Sequence, residues 1–196
     1  MTSAGPPSAR QRELIDAWFP GWELARDHSW SLMARAVLEI THEGARFIVK
    51  AGGPADGHMG REIRAHREWL QPWWSIGCAP RLVRADPEVN LLATRWLPGL
   101  LVHGAPAADD PDTFEQAGRL LGRFHRQSTQ WDEEFEKREN ATALQRLNTE
   151  HRIAPQAVAQ LRDALASWPE PPAQLVPTHG DWQPRNWLVH DGVAEL

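Results

Sequence analysis

Two apolar-alternating runs, residues 34–41 and 45–51, are separated only by His42-Glu43-Gly44. Both are rich in β-branched and aromatic side chains, and period-two alternation suits a strand with one buried face. So short a connection makes a hairpin, so the runs should pair antiparallel. Residues 22–28 precede them as a third run, and the three read as a meander. A second hairpin is expected over 81–85 and 90–96, around Asp86-Pro87-Glu88. Between the two hairpins, Met59, Ile63, Trp69 and Leu70 mark a helix over 58–70 that Pro72 should stop. From Asp112 onward the period becomes helical throughout: Phe114, Ala117, Leu120, Leu121 and Phe124 share a face, with Asp112 as N-cap. Further helices are expected over 131–147 and 155–168, then a rigid spacer over 169–172. At the other end, residues 1–8 read as disordered and 10–19 as a short helix. The fold class is α+β: a small antiparallel sheet with one helix, then a mainly helical part.

Composition narrows the setting. The chain has 196 residues, 41% hydrophobic and 24% charged, enough for one domain or two small lobes. A net charge of −5 argues against nucleic acid or an anionic membrane as partner. Cys78 is the sole cysteine, which excludes an intrachain disulfide and fits a reducing compartment. No apolar run resembles a signal peptide or a membrane span, so a cytoplasmic location is expected. The 9 histidines are dispersed without metal-site spacing, so they do not make a zinc centre.

One stretch carries chemistry: Thr178-His179-Gly180-Asp181-Trp182-Gln183-Pro184-Arg185-Asn186-Trp187-Leu188-Val189. Asp181 and Asn186 stand at the spacing of a kinase catalytic loop. A carboxylate there accepts the proton of an attacking hydroxyl, while an amide oxygen a short loop away holds Mg²⁺ on nucleotide phosphates. Gly180 lets the backbone turn tightly beside the Asp. His179 reads as a structural residue bracing the loop, and His125 as a packed histidine.

His-Gly-Asp-Trp-Gln-Pro-Arg-Asn-Trp-Leu-Val resembles the aminoglycoside phosphotransferase family, the small-molecule branch of the kinase-like fold. The resemblance implies two lobes, with residues 20–97 the nucleotide-binding sheet and helix, 98–196 a partial helical lobe, and 1–19 a tail. It implies ATP or GTP with Mg²⁺ as cofactors, and as partner a small-molecule hydroxyl acceptor, aminoglycoside-like or another amino alcohol. Asp181 would be the catalytic base and Asn186 the metal ligand. Lys50, ending Arg46-Phe47-Ile48-Val49-Lys50, resembles the lysine that grips the α- and β-phosphates. Glu62 would orient it, with Glu68 as competitor. Ser29, in the turn Asp27-His28-Ser29-Trp30-Ser31, would cover the phosphates, although that turn lacks the glycine pattern and also reads as a plain β-turn. Backbone groups near Thr94 to Trp96, just before Leu97-Pro98-Gly99, would meet adenine. Leu121-Gly122-Arg123-Phe124-His125 resembles the family's helix ending in Leu-His.

The resemblance covers about residues 20–196, the front part of the family's domain. In that family an Asp after the next strand pair chelates Mg²⁺. Here residues 187–190, Asp191-Gly192 and 193–196 match the pair, and neither Asp191 nor Glu195 stands where that Asp would. The expectation is a kinase-like fold incomplete at its C-terminus, impaired in activity, with apolar surface uncovered near Phe114, Leu121 and Phe124. The alternative is a non-catalytic, kinase-derived protein that binds nucleotide or another ligand.

Overall fold

The computed structural model describes residues 7–29, 35–190 and 193–195. In chain order the elements are α1 (Ala9–Trp18), β1 (Glu23–Asp27), β2 (Arg35–His42), β3 (Ala45–Gly52), α2 (Gly57–Glu68), the short α3 (Gln71–Trp74), β4 (Leu82–Asp86), β5 (Leu91–Arg95) and β6 (Leu100–Leu101). They continue with α4 (Pro111–His125), β7 (Gln130–Asp132), α5 (Phe135–Arg146), α6 (Pro155–Ala166), β8 (Ala173–Leu175), β9 (Leu188–His190) and β10 (Val193–Glu195). The architecture is the expected α+β. Two compact units divide it: residues 1–124 with 179–196, and residues 125–178.

The first unit is built on a five-stranded antiparallel sheet, ordered β1-β2-β3-β5-β4. Its β2–β3 hairpin turns at Glu43 and Gly44 with φ of 48° and 74°, matching the twist of paired strands. The hairpin register pairs Val37 with Lys50, and Lys50 with Leu92 of β5. Residues paired across such a ladder share a face. On one face Ala36, Leu38, Ile40, Phe47, Val49, Ala51, Leu91 and Ala93 bury themselves against Ile15 and Phe19 of the α1 segment. On the other, Leu92 packs against Met59 and Ile63 of α2. Each of the larger side chains among these, Val, Leu, Ile, Phe or Met, contributes about 1.5–3 kcal/mol on leaving water. Lys50 therefore points to the α2 side of the sheet because its neighbours in sequence, Val49 and Ala51, are needed in the α1 core.

Several expected boundaries shift for physical reasons. Ser8 is ordered: its side chain accepts from Gln11 N, and Gln11 returns a bond to Ser8 N, a capping box that starts α1. Pro72 does not stop α2, which ends at Glu68; the proline sits in the first turn of α3, where its missing N–H costs nothing. Asp110, not Asp112, accepts the Asp112 N–H at 3.0 Å ahead of α4. Trp131 lies in strand β7, paired with Gln174 of β8, rather than in a helix. Phe124 is not left uncovered: it is buried, stacked on Trp73 at 4.2 Å, whereas Phe114 is 45% exposed. Asp191 and Gly192, read as a hairpin turn, lie outside the described residues, while β9 and β10 pair antiparallel on either side. No helix among the described residues is long and apolar enough to cross a membrane.

Candidate active site

Lys50 Nζ lies 2.5 Å from Glu62 Oε1. The side chains are 31% and 22% exposed, so the pair is partly shielded yet open at one edge. Burial opposes ionisation of Glu62, but the Lys50 ammonium, by charge and by hydrogen bond, more than offsets it, and Arg35 and His66 add to the effect. The Glu62 pKa falls below the ordinary carboxylate value. Glu68 instead faces Arg64 on its own helix, at 3.9 Å, with both side chains more than half exposed.

The loop with Asp181 and Asn186 is held by the strand that follows Leu97-Pro98-Gly99. Leu100 and Leu101 pair with Val189 and Leu188, Val102 N donates to Trp187 O at 2.9 Å, and His103 N to Pro184 O at 3.2 Å. Gly180 turns with φ of 81°, a conformation glycine adopts without a Cβ penalty. Asn186 Nδ2 donates to both the Asp181 backbone oxygen, at 2.7 Å, and its Oδ2, at 2.8 Å. Gln183 Nε2 donates to Oδ1, and Arg185 stands 3.6 Å away. The Asn186 hydrogen bond leads in holding Asp181 below its ordinary pKa, desolvation opposes it, and Arg185 and Gln183 assist. The carboxylate is thus ionised across the neutral range.

Beneath the loop runs an aromatic column. Trp182 stacks on Trp73 with ring centres 5.3 Å apart and lies 5.4 Å from Trp187. Trp73 is anchored in turn by its Nε1, which donates to Leu120 O of α4 at 2.7 Å. His179 leans edge-on to Trp182, and its Nδ1 accepts from Asp181 N at 3.3 Å. Desolvation by these rings lowers the His179 pKa, with the charges of Asp181, Glu62 and Lys50 all acting on it.

The other sequence-selected positions lie in the strands of the same sheet or just beyond their ends. Ser29 Oγ accepts the Val37 N–H at 2.9 Å, and Ser29 N donates to Asp27 Oδ1 at 2.8 Å, which fixes the start of a turn whose remainder, from Trp30, lies outside the described residues. Thr94 is buried in β5 between Ile48 and Leu82. Trp96 N donates to Arg46 O at 3.1 Å, and the Arg46 guanidinium lies 3.6 Å from the Trp96 ring centre. Arg46 also pairs with Glu39, a buried carboxylate whose second oxygen meets His28 Nε2 at 3.0 Å. One polar chain thus links the turn at residues 27–29 to the strand end at Trp96.

Sequence reasoning missed three groups beside the pair. Asp56 caps α2, accepting from His58 N at 3.0 Å and Met59 N at 3.3 Å; its position before a helical run was a readable signal. Arg35 reaches both Asp56 and Glu62. His66 sits one turn beyond Glu62, with Nδ1 buried and unpartnered. No local pattern marks either of the last two.

The residues fit a nucleotide phosphate better than they define a metal centre. Lys50 is an oriented ammonium, and Asn186, whose Nδ2 is spent on Asp181, keeps Oδ1 as one hard donor suited to Mg²⁺. Among the described residues, no group of three or more His, Cys, Asp or Glu converges on one point.

A small sheet flanked by helices, with a strand lysine paired to a helix glutamate and a separate Asp–Asn loop, is the arrangement of kinase-like phosphotransferases. The sequence profile of the phosphotransferase enzyme family matches residues 34–194, and the chain belongs to that family. Among solved structures it is similar to the aminoglycoside phosphotransferase APH(4)-Ia, with a TM-score of 0.66 and 13% identity, covering 95% of this chain and 69% of that one. A thermostable mutant of the same phosphotransferase, in ternary complex with AMP-PNP and hygromycin B, gives a TM-score of 0.61 at 12% identity, with 93% and 68% covered. A choline/ethanolamine kinase family protein from Mesorhizobium loti gives 0.56 at 18% identity, with 95% and 62% covered. At these identities the likeness is one of fold. A comparison with curated protein sequences returns no match.

Proposed function

We propose that this phosphotransferase moves the γ-phosphoryl group of ATP to a hydroxyl of a small molecule, with Mg²⁺ as the phosphate counter-ion. The observation that carries the reading is the strand lysine Lys50 held by the helix carboxylate Glu62, together with a loop in which Asn186 is bonded to Asp181. Lys50 would hold the α- and β-phosphates, Glu62 would fix the ammonium, and Asp181 would accept the hydroxyl proton. Asn186 would contribute Oδ1 to the metal, which when bound neutralises charge on the phosphates. Phosphoryl transfer asks little covalent chemistry of a protein; positioning and charge neutralisation supply most of the rate. The AMP-PNP complex of the APH(4)-Ia mutant supports a nucleoside triphosphate as donor. Aminoglycoside and choline/ethanolamine relatives in fold favour an amino-alcohol acceptor.

The test is Mg²⁺-dependent ATP consumption over a panel of aminoglycoside and amino-alcohol acceptors, beside AMP-PNP affinity. Asp181→Asn is nearly isosteric and removes the base; its oxygen can keep the bond from Asn186 while its amide nitrogen displaces Gln183. It should lower turnover by about 10²–10⁴-fold while AMP-PNP affinity changes little. Equal loss of binding and turnover would mark Asp181 as a loop-building residue and sink the assignment.

A further inference from the structure

Glu62 is shared. Its Oε1 meets Lys50, while its Oε2 lies 3.3 Å from Arg35 Nη1. The same guanidinium forks onto Asp56: Nε donates to Oδ2 at 3.0 Å and Nη2 to Oδ1 at 3.0 Å. Arg35 and Asp56 are 18% and 13% exposed, so these contacts are largely shielded from water. Asp56 is at the same time the N-cap of α2. A single planar cation, rooted at the first residue of β2, thus holds the start of α2 and a carboxylate further along it. Opposite Arg35 in the ladder stands Gly52. A Cβ there would lie 2.6 Å from Asp56 Oδ2, so the absent side chain makes room for the fork.

We propose that Arg35 is a positioning residue for the Lys50–Glu62 pair. It fixes the Glu62 carboxylate from behind, so that the other oxygen is presented to Lys50 in one place. It also gives that carboxylate a second cationic partner, so that its partly buried charge does not rest on Lys50 alone. A lysine cannot do the same, because one ammonium on a flexible stem cannot span two carboxylates as a rigid fork does. The consequence for nucleotide binding rests on the function proposed above; the consequence for Lys50 itself does not.

Two measurements separate these. Lys50 and Lys137 are the only lysines, so the ε-methylene NMR signals of the chain can be assigned with Lys137→Arg. In the nucleotide-free protein, Arg35→Ala should shift the Lys50 signal toward that of a mobile lysine, as Glu62→Gln does. The Arg35→Ala change should add nothing when Glu62 is already Gln. For AMP-PNP, Arg35→Ala should weaken binding by about tenfold in the unaltered background and by less than about twofold in Glu62→Gln. A residue that merely stabilised the fold would give additive effects in both backgrounds, and that result overturns the proposal. So does a Lys50 signal unmoved by Arg35→Ala. If Arg35→Ala does not fold, Arg35→Lys is read in its place, and full rescue by lysine counts against the fork. If the unaltered chain binds no AMP-PNP, the proposed function fails, and the Lys50 signal still decides the role of Arg35.

Discussion

His66 joins the candidate site through its neighbours on α2. Burial depresses its pKa from 6.5 to about 4; the Glu62 carboxylate pulls it back up and the Lys50 ammonium pushes it further down. Between those two values the unfolded chain binds a proton that the folded chain refuses. Stability therefore falls as pH drops from about 6.5 to about 4, by up to about 3 kcal/mol. Glu62, whose pKa is lowered, contributes stability that is present above the ordinary carboxylate pKa and lost on further acidification through its folded value. His66→Leu should flatten the stability slope between pH 6.5 and 4, read as urea midpoints, and leave a remainder from His179, which titrates in the same sense. An unchanged slope would place the acid sensitivity elsewhere. Residues of this kind show why legibility in sequence was partial. Asp181 and Asn186 are five positions apart on one loop, and Lys50 ends a strand of plain pattern, so local spacing exposes them. Arg35 and His66 become part of the site only through the sheet register opposite Gly52 and the facing of α2, which no window of sequence contains.

At the scale of elements, α1 is more than a cover for the sheet. Gln11 is 5% exposed, and its Nε2 donates to Gly52 O at 2.9 Å and to Val89 O at 2.7 Å. One amide thus ties the end of β3 and the β4–β5 turn to the first turn of α1. Gln11→Ala would strand these two carbonyls and should destabilise the protein by about 1–3 kcal/mol in chemical denaturation. A change of only a few tenths would show that water replaces the amide at no cost. The hairpins were readable because period-two runs and short turns are local features. The expected helix over 131–147 begins later, at Phe135, because Trp131 pairs with Gln174, a partner far along the chain.

Across the whole molecule, burial is uneven. In residues 125–178 only Asn140 is buried, and Trp131 and Trp168 are 66% and 56% exposed. The first unit holds every buried apolar side chain among the described residues. Regions with few buried apolar contacts open most readily. In native-state hydrogen exchange the amides of α5 and α6 should exchange well before those of β2, β3 and β5; similar protection in both sets would contradict this. The α+β class and its kinase-like sheet were legible because they follow from the order of strand-type and helix-type runs. The division at residue 125 was not, since it falls at the last residue of helix α4, with no turn or linker to mark it ahead of that residue. The aromatic column has one more consequence. Trp182 follows Asp181 directly and lies nearly parallel to Trp73, at 25° and 5.3 Å. Indoles so close couple their electronic transitions, so a movement of the loop changes the near-ultraviolet circular dichroism of the pair. The protein carries its own optical gauge of where Asp181 stands, with no label to attach.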